Sequence, residues 1–269
     1  MLEGLTKYWG LYMVAAPDMN GVGVQDLQDA LEEAALHEEW VSDLNSVAPE
    51  ERTAQNNINS QIASKQLKKV LAARIVVFKL FLQLAIQVNG KLQEKHKHIW
   101  LLFQLSDRLN RARHPFVRIM TCLYQASNHT LDTIINRLDD TRGEYLPGLD
   151  FIFGLDEAQH VARLYPNSFI SRDTAKFRSI IREIARVFNK SPVKLVVSGT
   201  GLSLAELQEA IASGVSKPTE SVFLFHQLGM FDTWPKLKQF LERYIPATIL
   251  ASDSGLYLQH WIREYLLGR

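Results

Sequence analysis

The sequence predicts an α/β fold built on a parallel sheet, and three observations carry that expectation. Phe151-Ile152-Phe153-Gly154-Leu155 is an apolar run that ends abruptly in Asp156-Glu157, the pattern of a strand covered by helices on both faces. Val193 to Val197 is a second such run, ending in Ser198-Gly199-Thr200-Gly201. After residue 140 strand-like and helix-like segments alternate, whereas helices dominate before it. Alternation of that kind builds a parallel sheet.

In chain order, Met1 to Tyr8 predicts the tail of a helix, with Gly10 as its terminating residue. Leu11 to Ala15 predicts a strand that Pro17-Asp18 and Asn20-Gly21 end in a loop. Asp26, Leu27, Leu31 and Ala34 to Leu36 mark an amphipathic helix, and the polar stretch Glu39 to Asn59, with Pro49, predicts a loop. Ser60 to Asn89 is free of Pro and Gly and stops at Gly90. As one helix it would be ~45 Å long. Ile99 to Leu109 and Phe116 to Leu138 give further helical patterns, and Asp140 to Pro147 predicts a turn-rich join.

Beyond the central run, Arg163 to Asp173 predicts a loop, and Asp173 or Thr174 a cap for a helix reaching Phe188. Ser203 to Ala212 predicts a helix, Ser221 to Phe225 a third strand, and Trp234 to Tyr244 and Gly255 to Leu267 the closing helices. The expected organisation is an α/β core in two parts, residues 1–55 and 141–269, split by a mainly helical insertion over 56–140.

Composition excludes several classes. A net charge of +1 over 269 residues gives no field for a nucleic acid or an anionic lipid surface. Cys122 is the single cysteine, so no intrachain disulfide or thiolate zinc cage is possible, and its apolar neighbours predict a buried, inert thiol. The start of the sequence has no secretory pattern. Arg74, Lys79, Gln83 and Gln87 interrupt the apolar run Val70 to Val88, which predicts a helix packed in protein rather than in lipid. An intracellular location is expected. None of the eight histidines has metalloprotease spacing, and His96 and His98, flanking Lys97, predict solvated surface. No Gly-x-Ser-x-Gly elbow is present, and the five tryptophans predict core or helix-packing positions.

The chemistry concentrates at two strand ends. At the C-terminal end of a parallel strand, Asp156 could hold a hydrated Mg²⁺, and Glu157 could orient or deprotonate a water aimed at a γ-phosphate. The plainer reading is an acidic helix N-terminus. Ser198 and Thr200 supply hydroxyls, and Gly199 and Gly201 let backbone approach a phosphate. The plainer reading there is a capped strand-to-helix turn. Together and in this order, the two ends favour phosphate chemistry. A nucleic-acid helicase is weaker, because no arginine-rich motif follows Thr200 and no basic, aromatic-lined groove is evident.

Leu155-Asp156-Glu157-Ala158-Gln159, Val197-Ser198-Gly199-Thr200-Gly201-Leu202-Ser203-Leu204 and Gly229-Met230-Phe231-Asp232-Thr233 follow Val14-Ala15-Ala16-Pro17-Asp18 in the chain. In this order they resemble the P-loop ATPase domain of Crinkler-type proteins of oomycetes and fungi, over Leu2 to Arg269. The resemblance implies an AAA-like ATPase core, often joined to an effector domain. It implies Asp156 as the Mg²⁺ carboxylate, Glu157 as the water-activating base, and Ser198 or Thr200 as the phosphate sensor beside Gly199. Arg263 and Arg269 lie where the family begins a basic segment and would stabilise charge. One departure matters: no Gly-x-x-x-x-Gly-Lys-Ser/Thr loop is present among the 14 glycines, and that loop grips the β- and γ-phosphates. The expectation is that the first strand and phosphate loop lie upstream. ATP and Mg²⁺ then belong to the completed protein, and this chain alone is weak or inactive. The alternative is a pseudo-ATPase that works as a protein-interaction module. A nucleotide, a protein partner or a homo-oligomer are the partners implied.

Overall fold

A computed structural model describes residues 2–15, 23–106, 114–171, 176–188, 193–199 and 234–267. The chain forms two compact units, residues 1–217 and 218–269. The first is α/β, with a small parallel sheet and mostly helices. Its elements run α1 (Leu2–Lys7), β1 (Trp9–Val14), α2 (Asp26–Ala35), a 3₁₀ turn (Leu44–Ser46), α3 (Arg52–Asn89), α4 (Glu94–Leu105), α5 (Pro115–Cys122), α6 (Asn128–Tyr145), β2 (Phe151–Asp156), α7 (Ala158–Ala162), α8 (Ile181–Phe188) and β3 (Lys194–Val197). The sheet order is β1-β2-β3, all parallel, with Trp9 to Val14 paired in register with Phe151 to Asp156. Ile152 to Leu155 pair in turn with Lys194 to Val197.

Alternation along the strands divides their side chains between two layers. Trp9, Leu11 and Met13 of β1 and Phe151, Phe153 and Leu155 of β2 enter the main core, shared with α2, α3, α6 and α8. Tyr12, Val14 and Ile152 face the other way, with Leu5 of α1 and Leu101 of α4. Both faces of β1 and β2 are covered, so these strands read as unbroken apolar runs. Strand β3 departs from the expected pattern, with Lys194 and Val196 exposed. Gly10 does not terminate α1. It is the second residue of β1, where a Cβ would lie 2.3 Å from the Ile152 carbonyl oxygen.

The outer edge of β1 is closed by helix side chains. Trp100 Nε1 donates to the Gly10 carbonyl at 2.7 Å, and Gln104 Nε2 donates to it at 3.3 Å. The Tyr12 N–H donates to Gln104 Oε1 at 2.8 Å, and Arg74 donates to the Tyr12 carbonyl. Arg74 therefore sits inside the core, where the sequence pattern makes it a costly interruption. Asp26 at the start of α2 matches it with two bonds of 2.7 and 2.8 Å. The guanidinium also lies over the Phe116 ring, 4.4 Å from its centroid. An unpaired edge invites another strand, and here polar side chains satisfy it instead.

Helix α3 starts at Arg52, inside the stretch that composition marks as a loop. Its polar first turns are used: Asn59 Nδ2 donates to the carbonyls of Val41 (2.7 Å) and Ser168 (2.8 Å), and Asn56 Oδ1 accepts from the Ile170 N–H at 2.9 Å. Those asparagines pin two connecting segments rather than extend a loop. The helix ends at Gly90 in the left-handed conformation, φ 75°. By length and composition α3 could cross a membrane, but 56% of its most apolar window is buried within the protein. It packs on α2, α5, α6 and α8 as a core helix.

Several local expectations are corrected. The pattern over 116–138 is two helices, because the chain turns at 123–127 before Ser127 caps α6 through the Thr130 N–H. Helix α6 continues to Tyr145, through the expected turn-rich join. Helix α8 begins at Ile181, well after Thr174. Cys122 is exposed, at the C-terminal end of α5. His96 is buried because its Nδ1 caps α4, accepting the Gln93 N–H at 2.9 Å, whereas His98 is exposed. Trp9, Trp40 and Trp100 are buried, but Trp261 is 56% exposed.

In the second unit, α9 (Trp234–Tyr244), α10 (Ala247–Leu250) and α11 (Asp253–Leu267) form a small helical corner. Leu241 and Leu250 make its core with Trp234 and Ile245. Gly255 packs so closely that a Cβ would fall 1.8 Å from the Ile249 carbonyl oxygen. The expected helix Ser203 to Ala212 and strand Ser221 to Phe225 lie outside the described residues.

Candidate functional site

The C-terminal ends of the three strands converge on the Asp156 carboxylate. Tyr12 of β1 donates its hydroxyl to Oδ2 at 3.0 Å. Ser198, directly after β3, donates its hydroxyl to Oδ1 at 2.5 Å, and the Glu157 N–H donates to the same oxygen at 3.0 Å. Backbone bonds lock the frame around it. The Ala15 N–H donates to the Asp156 carbonyl, the Ser198 N–H to the Leu155 carbonyl, and the Ala158 N–H to the Ser198 carbonyl, each at 2.9 Å. The parallel register makes this convergence possible, because Val14 and Asp156 are partners at the same sheet edge.

Glu157 adopts a left-handed backbone, φ 55° and ψ 33°, as β2 turns into α7. For a residue with a Cβ this costs about 1–2 kcal/mol, and such strain concentrates at functional positions. Its side chain is 42% exposed. Gln159 Nε2 donates to Glu157 Oε2, and His160 Nε2 lies 3.7 Å from that oxygen. Glu157 is thus held by its own helix, while Asp156 is held by the neighbouring strands.

Among the residues that the sequence nominates, Asp156, Glu157 and Ser198 come together. Gly199 follows Ser198 and is exposed. Thr200 and Arg269 lie outside the described residues. Arg263 falls within α11 of the second unit, and its side chain is not described. Tyr12 is the site residue that motif reading misses. Its signal is a hydroxyl-bearing aromatic near the end of an apolar strand, two residues before its C-terminus. Its register partner is Gly154, which carries no side chain to block the ring's path to Asp156.

The donor chemistry suits a hard cation. Mg²⁺ is bound through one or two carboxylates together with water and substrate phosphates, rather than by an all-protein cage. Asp156 meets that description. No group of three or more His, Cys, Asp or Glu side chains able to hold a metal occurs among the described residues. No protein-family model, curated protein or solved structure matches this chain.

Proposed function

We propose that this chain forms the acidic and sensor part of a P-loop ATPase of the Crinkler type. The observation that carries the reading is the meeting of Asp156 and Ser198, from adjacent parallel strands, at the sheet edge where Glu157 begins the next helix. In this reading Asp156 helps hold the Mg²⁺ that neutralises phosphate charge. Glu157 orients and deprotonates the attacking water, and its exposure leaves it reachable by that water. Ser198 or Thr200, beside Gly199, would meet the phosphate.

The sequence holds no Gly-x-x-x-x-Gly-Lys-Ser/Thr. The grip on the β- and γ-phosphates would come from residues outside it, and a second copy or a protein partner could complete the site. The 269 residues alone should bind Mg-ATP more weakly than the micromolar range. Titration calorimetry with Mg-ATP checks this, and micromolar affinity would contradict it.

One observation favours a second reading, a non-catalytic module of ATPase shape acting through protein contacts. Both oxygens of Asp156 already accept protein hydrogen bonds, and a carboxylate can serve only to join three strands.

A further inference from the structure

We propose that Ser198 and Tyr12 form a latch on Asp156, in which the Ser198 hydroxyl competes with a cation for Oδ1 and turns away when the cation binds there. The inference rests on reading Asp156 as the cation's carboxylate, and it adds how that residue is controlled. An ionised carboxylate offers about four lone-pair positions. Three are filled here, by the Ser198 hydroxyl, the Tyr12 hydroxyl and the Glu157 N–H. A hydroxyl bonded to an anion makes a strong, charge-assisted bond, and it competes directly with a metal ion for the same oxygen.

The two halves of the latch differ in stiffness. Tyr12 is buried, and its backbone is fixed on both polar groups, the N–H by Gln104 and the carbonyl by Arg74. The Arg74 guanidinium is in turn held by Asp26. Ser198 is also fixed in its backbone, through Leu155 and Ala158. Its hydroxyl hangs on a single rotatable bond, and one rotamer change releases Asp156 without moving a strand. Ser198 is therefore the moving half and Tyr12 the stationary one. A released Ser198 hydroxyl becomes available to an incoming anionic ligand, so one rotation would both free the carboxylate and supply a donor.

The test uses Mn²⁺ as a spectroscopic stand-in for Mg²⁺, with free ion measured by electron paramagnetic resonance on the intact chain. Circular dichroism checks that each variant is folded. Ser198→Ala should bind Mn²⁺ about tenfold more tightly than the unaltered chain, a factor equivalent to ~1.4 kcal/mol. Tyr12→Phe should gain in the same direction, and adding Asp156→Asn should remove either gain. Equal affinity in the unaltered chain, Ser198→Ala and Tyr12→Phe, lost with Asp156→Asn, would overturn the latch and leave Asp156 as a cation ligand. Absence of Mn²⁺ binding by all of them would overturn both the latch and the cation reading, leaving the carboxylate as a clamp between strands.

Discussion

Arg74 and His114 show how single residues take meaning from their surroundings. Arg74 interrupts the most apolar part of α3, yet it is fully buried, paired with Asp26 and bonded to the edge of β1. A buried guanidinium is tolerated when its charge is matched and its donors are used. His114 lies beside this pair and caps α5, its Nδ1 accepting from the Phe116 N–H at 3.3 Å. Burial lowers its pKa below 6.5, and the nearby Arg74 guanidinium lowers it further, while Asp26 and the Phe103 backbone oppose them. With the folded-state pKa depressed, the unfolded chain binds the extra proton. The stabilising contribution is complete above the ordinary histidine value and is lost as pH falls below about 6.5 toward the folded-state value. Urea denaturation should show stability declining over that window, and a His114→Gln variant should flatten the decline. An unchanged slope in the variant would contradict this. Neither residue's role was legible in sequence, because each depends on partners far away in the chain. Asp156 and Glu157 were legible as candidates because an apolar run stops on them. Tyr12 was not, since its part depends on the register of β1 against β2.

At the scale of elements, the edge of β1 is the least expected feature. Strands β1 and β2 were readable because burial on both faces leaves continuous apolar runs, whereas β3 was readable from its β-branched residues although Lys194 and Val196 are exposed. The role of α4 was not, because Trp100 and Gln104 look like ordinary helix residues until Gly10 and Tyr12 are beside them. Gln104→Leu should leave the Tyr12 N–H buried without its partner, at a cost of ~1–3 kcal/mol. The loss would appear in chemical denaturation, and an effect near zero would show that the edge does not need this cap. The same chain-distant logic explains why α3 begins early. Asn56 and Asn59 read as loop residues by polarity, but their side chains bind the backbone of segments that only the fold brings near. The break between α5 and α6 carries a local signal, the Ser127 cap, that the surrounding apolar pattern obscured.

At the scale of the whole molecule, an α/β unit whose strand ends gather Asp156, Ser198 and Tyr12 is followed along the chain by a second unit whose described residues are helical. Parallel pairing followed from the alternation after residue 140. The pairing of β1 with β2 did not, because α2 to α6 lie between them and only tertiary packing sets that register. In the proposed function, Glu157 would activate water in an ATPase site whose phosphate loop would be supplied by other residues. The most direct measurement is ATP turnover and retention by a Glu157→Gln variant, in a protein that also carries a Gly-x-x-x-x-Gly-Lys-Ser/Thr loop joined to this chain. Loss of the water-activating base should lower turnover by about 100-fold or more while ATP stays bound. Turnover equal to that of the unaltered protein would contradict the account, and Asp156 with its neighbours would then be a structural clamp at the end of the sheet.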